Sequence, residues 1–113
     1  MRVEEVFSCL EEKYGEDFNW FVLSDAESYV SELKREFGQN HFLYEKSIKA
    51  VAKCEANDDV LFETESDESI KEYYIIHLTY SKHLKESFPK YKKYTNIKAV
   101  KEEIERVFVE EYL

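Results

Sequence analysis

Between Ile48 and Tyr80 the sequence holds three short apolar runs, Ile48–Cys54, Val60–Thr64 and Tyr73–Tyr80, parted by two acidic, polar breaks. Runs of this length, bounded by turn-forming residues, read as strands. The first shows its alternation: Ile48, Ala50, Ala52 and Cys54 on one face, Lys49, Val51, Lys53 and Glu55 on the other. Glu55–Asp59 (EANDD) is turn chemistry, because Asn and Asp bond their own main chain and tolerate left-handed backbone. The third run is apolar on both faces, which places it away from the sheet edge and covered on each side.

Helical spacing flanks this centre. Val3, Val6, Phe7, Leu10 and Tyr14 form one apolar stripe, opposed by Glu4, Glu5, Glu11 and Glu12 and stopped by Gly15. Ser24 with Glu27 has the form of a capping box, followed by the stripe Ala26, Tyr29, Val30, Leu33 and Phe37, with Gly38 as the stop. Asn96 is placed to cap a last helix whose face is Ile97, Val100, Ile104, Val107, Phe108 and Tyr112, with Lys98–Glu102 and Lys101–Glu105 pairs along its outer side. Asp17–Leu23 is too short and too apolar to separate a strand from a buried turn. Ser81–Thr95, which contains the single proline, Pro89, reads as an extended or irregular basic segment. The expected fold class is α+β: a three-stranded antiparallel meander (about 47–55, 59–64, 72–80) packed with about three helices (3–14, 24–37, 96–112) in one globular domain, 1–113.

Composition bounds the function. Aromatic residues make up 16% of the chain, enough to exclude disorder. No apolar run approaches the roughly 20 residues a bilayer span requires. The first residues lack a signal peptide's hydrophobic core, so a cytoplasmic chain is expected. Cys9 and Cys54 lie far apart with no CxxC spacing, as befits free thiols in a reducing compartment. The net charge of −9 is unevenly spread, for seven lysines between Lys82 and Lys101 face one acid, Glu86. That segment is +6 and the remainder −15.

The run AVAKCEANDDVLF (Ala50–Phe62), followed by IIHLTYS (Ile75–Ser81), resembles a motif pair in a group of small bacterial proteins with no known activity. It spans about the middle third of the chain. The resemblance singles out Asp58, Asp59, His77 and Thr79 and implies no chemistry, cofactor or partner.

Pairing arithmetic gives a more specific candidate. A symmetric Glu65–Ile70 loop sets Asp59 near His77, and a turn at Ala56-Asn57 sets Cys54 near Asp59. All three then share a face, with Thr79 two residues beyond His77. Cys, His and an acid are the parts of a nucleophilic site, in which the base must touch the thiol. Here the acid sits between them, and side chains two strands apart are about 10 Å apart at the backbone. A structural His77–Asp59 contact with an inert Cys54 is the simpler account. His41, His77 and His83 with Asp58 and Asp59 could supply metal ligands in number, but no HxxxH, HExxH or CxxC spacing brings them together, and neither metal nor cofactor is expected. The stretch Phe88, Lys90, Tyr91, Lys92, Lys93 and Tyr94 interleaves lysine with rings, as single-stranded nucleic-acid platforms do. It contains no arginine, and the −15 elsewhere repels a polyanion. Nucleotide-dependent chemistry of the P-loop or Rossmann type is excluded, because no glycine-rich loop exists to cradle phosphate. The acid-faced first helix is wrong for anionic lipid.

Three functions remain. The first is a non-catalytic interaction module, an immunity- or antitoxin-type binder whose acidic field suits a basic protein partner. The second is a small enzyme using His77 with Asp59 or Cys54, and the third is single-stranded nucleic-acid binding through Lys82–Tyr94. The first is preferred, because no catalytic set stands out and the charge is strongly negative.

Overall fold

The structure, a computed structural model, describes residues 2–23, 27–36, 47–57, 59–65, 70–78 and 91–112. Helix α1 spans Val3–Tyr14 and runs into a 3-10 turn at Gly15–Asp17. Its buried residues are Val3, Val6, Phe7 and Leu10, the stripe expected from spacing. Gly15 closes the helix at φ 67°, ψ −146°, a backbone state that a Cβ disfavours, and its N–H donates to the Glu11 carbonyl. Strand β1 (Trp20–Val22) and helix α2 (Glu27–Glu36) come next, then β2 (Ser47–Cys54), β3 (Asp59–Glu65), β4 (Lys71–His77), β5 (Tyr91–Tyr94) and helix α3 (Ile97–Tyr112). The Asn96 side chain accepts a 2.8 Å bond from the Ala99 N–H, and a cap of this kind contributes about 1 kcal/mol.

The sheet has five antiparallel strands in the order β1-β2-β3-β4-β5, two more than the three-stranded meander read from the sequence. The class is α+β as expected. Both additions are edge strands. β1 is three residues long, too short to show alternation. β5 is lysine-rich, and lysine on an edge strand discourages further pairing, so a basic stretch and a strand are the same thing here. β4 lies between β3 and β5 and buries side chains on both faces. It ends at His77, and Leu78 follows outside the strand. Thr79 and Tyr80, Ser24 to Ala26, and Phe37 and Gly38 lie outside the described residues.

The face assignment of β2 is corrected by a bulge. Its pairing with β3 runs Ser47↔Glu65 to Ala50↔Phe62, then resumes at Ala52↔Leu61, leaving Val51 as an extra residue. An inserted residue reverses the alternation beyond it. Ile48 and Ala50 therefore pack with α2, whereas Ala52 and Cys54 pack with α1 and α3. Strict period-two counting had put all four on one face.

Two cores result, one on each side of the sheet. On one side α1 and α3 cover Trp20, Val51, Leu61 and Tyr73. On the other, Leu33 of α2 sits over Val60, Phe62, Tyr74 and Ile76. Across the joint between α1 and α3, Lys13 Nζ and Tyr14 Oη donate to Glu105 at 2.6 and 2.7 Å. Glu105 thus bonds to α1, while Lys101 of its own helix adds a favourable charge beside it. Among the described residues, no helix is long and apolar enough to cross a membrane.

Candidate functional site

The antiparallel register sets Asp59, the first residue of β3, opposite His77, the last of β4. One step beyond the pair Lys53↔Val60, Cys54 continues the same row, and Trp20 pairs with Cys54 from β1. Trp20, Cys54, Asp59 and His77 thus cross one end of the sheet on the face that α3 covers. With Ile104, Val107 and Phe108 of α3 as the opposite wall, they line an open pocket of about 350 Å³.

His77 Nδ1 lies 2.9 Å from Asp59 Oδ1, with the imidazole 54% and the carboxyl 31% exposed. A carboxylate only accepts, so Nδ1 donates and Nε2 is the nitrogen left for another partner. The turn before Asp59 is held firmly. Asn57 Oδ1 accepts from the Asp59 N–H at 2.7 Å, and Lys53 Nζ donates to the Cys54 and Asn57 carbonyls at 3.0 and 2.9 Å. These bonds fix where Asp59 points.

Cys54 is buried at 2% exposure. Burial pushes its thiol up, outweighing the Ala56 and Asn57 N–H groups that point at it. A protonated thiol across Asp59 from the imidazole is no nucleophile. A thiol-reactive dye is therefore expected to label exposed Cys9 at once and Cys54 at least about a hundred-fold more slowly, only as the fold opens. Two equally fast thiols in the native state would reinstate Cys54 as a reactive group.

On the far wall, Tyr94 Oη donates to Glu103 Oε2 at 3.1 Å, while Arg106 holds the other carboxylate oxygen. Burial pulls the Glu103 carboxyl up, but the bonds from Arg106 and Tyr94 prevail and hold it below the usual carboxylate range. Burial and the same carboxylate push the Tyr94 phenol well up. Asn19 also lines the pocket, and its side-chain Oδ1 is buried with no hydrogen-bond partner among the described residues.

No family model, curated protein or solved structure matches this chain.

Of the residues singled out by sequence, Cys54, Asp59 and His77 meet at this pocket, joined by Tyr91, Lys92 and Tyr94. Thr79, Asp58, His41, His83, Phe88 and Lys90 lie outside the described residues. Among the described residues, no three His, Cys, Asp or Glu side chains group to hold a metal ion. β5 separates the proposed stacking rings. Tyr94 pairs with Tyr73 and Tyr91 with Ile76, so the two rings leave β5 on opposite faces although both residues border the pocket. Lys93 is drawn to Glu72 at 2.7 Å. Sequence reasoning missed Asn19, Trp20 and the α3 wall. The apolar face of α3 reads as core from spacing alone, whereas Ile104, Val107 and Phe108 on it also line the pocket.

Proposed function

We propose that this chain is a non-catalytic protein-interaction module, an acidic cytoplasmic binder of a basic partner in the manner of immunity- or antitoxin-type proteins. The observation that carries this reading is the division of its acids. Glu63, Glu72, Glu103 and Glu105 are each engaged by a lysine or arginine. Glu4, Glu5, Glu11, Glu12, Glu16 and Asp17, along α1 and its following turn, are exposed with no ion pair among the described residues. Of the bases in that segment, Lys13 is drawn away to Glu105. Uncompensated charge of one sign speeds encounter with a partner of the other, and salt weakens it. The pocket chemistry agrees, since its thiol is held neutral and out of line with the imidazole.

Affinity purification from the native host at low salt, with wild type and a Glu4→Gln/Glu5→Gln/Glu11→Gln/Glu12→Gln variant, tests this reading. The expected result is one stoichiometric basic partner, released by salt and lost from the variant. No partner, or one held equally by the variant, ends it.

A second reading has one specific observation behind it. The Asp59–His77 bond orients an imidazole in an open pocket, as a general base would require. A His77→Gln variant that keeps full partner binding but loses a hydrolytic activity of the wild type would favour the enzyme.

A further inference from the structure

Resting on the basic-partner reading, we propose that the pocket between α3 and the sheet end is a receptor for one arginine side chain of that partner. Three features of the pocket converge on this occupant.

The first is charge. Two carboxylates line the pocket, Asp59 and Glu103. Glu103 is already countered by Arg106, and Lys92 lies close enough to act on it as well. Asp59 has His77 as its ion-pair partner among the described residues, and an imidazole that donates from Nδ1 need carry no charge. Asp59 is thus the pocket carboxylate without a lysine or arginine ion pair among the described residues, on a molecule of net charge −9. A cation is the complementary ligand group.

The second is hydrogen-bond demand. Asn19 Oδ1 is an acceptor without a donor among the described residues. A buried acceptor left so is costly, and a donor-rich ligand satisfies it once the amide turns toward it. A guanidinium brings five N–H donors in a planar fork, enough for Asp59 and Asn19 together, where an ammonium brings three from one point.

The third is the wall. Trp20, Ile75 and Val107 add apolar side chains to a lining that also holds Asp59, Lys92 and Glu103. A long aliphatic stem with a flat cationic head suits that arrangement, and guanidinium planes stack on aromatic faces.

Trp20 is the chain's single tryptophan, so the pocket carries its own reporter. The probes are the peptides Ac-Ala-Arg-Ala-NH2 and its neutral citrulline counterpart, titrated while the Trp20 indole N–H and the His77 ring signals are followed by NMR. The arginine peptide is expected to shift both sets, and the citrulline peptide to bind about ten-fold more weakly or worse. Asp59→Asn should lose about ten-fold in affinity while keeping the fold, and Val107→Phe, which fills the pocket from α3, should abolish the shifts. Equal binding of the citrulline peptide, or shifts on α1 in place of Trp20 and His77, overturns the arginine receptor and leaves the basic-partner reading standing. Conversely, arginine-peptide binding at Trp20 with no basic partner recovered from the host overturns the broader reading. No binding of the arginine peptide anywhere ends the receptor proposal.

Discussion

Replacing Phe108 with alanine is expected to cost about 3–5 kcal/mol, a large share of the roughly 5–15 kcal/mol that holds a domain of this size together. Phe108 is 1% exposed, and its ring sits 4.8 Å from Tyr14 and 5.5 Å from Phe18, centroid to centroid. It therefore ties α3 to the end of α1 and to the segment leading into β1. Removing the ring forfeits burial, edge-on aromatic contact and close packing together. The neighbouring Val109 is 44% exposed, and its change to alanine should stay within about 0.5 kcal/mol. Urea unfolding measures both. The midpoint should fall steeply for Phe108→Ala with little change in slope. A cost below about 1 kcal/mol would mean that α3 does not pack here as described.

The other large effect lies across the sheet. Leu33 is fully buried, and it is the one residue of α2 so placed among the described residues; Tyr29 and Val30 are partly buried beside it. Leu33→Ala should cost about 2–5 kcal/mol. Leu33→Asp should cost more, because it would bring an unpaired carboxylate against Phe62, Tyr74 and Ile76. α2 is then expected to leave the sheet before the rest unfolds. Amide exchange is the direct check: protection should vanish from α2 while the β2–β3–β4 ladder keeps most of its own. Uniform loss across the molecule would show instead that α2 and the sheet unfold as one unit.

Much of this could be read from the residues because it rests on local rules. The α1 stripe and the Asn96 cap follow from helical spacing and from the need of a helix start for an acceptor. The meeting of Asp59 with His77 follows from counting across a short loop, since antiparallel partners are fixed once the turn is placed. What escaped depends on distant parts of the chain. Trp20–Val22 becomes a strand because β2 offers it an edge, a fact its own three residues do not contain. Tyr91–Tyr94 looks like a solvated basic segment until β4 is there to pair with it. The Val51 bulge leaves no mark in an alternating run of small and charged residues. The pocket escaped for a like reason, since its far wall is a helix face that spacing assigns wholly to the core.

The bulge gives β2 a divided allegiance. Ala50 and Ala52 are both fully enclosed, two positions apart in the chain, yet they look into different interiors. Enlarging Ala50 would press on the α2 layer and enlarging Ala52 on the α1 and α3 layer, so the two layers can be tightened or loosened one at a time through neighbouring codons. The α3 layer carries the pocket and the α2 layer does not. A designer could therefore stiffen this protein from behind, at the Ala50 side, and leave the pocket face untouched.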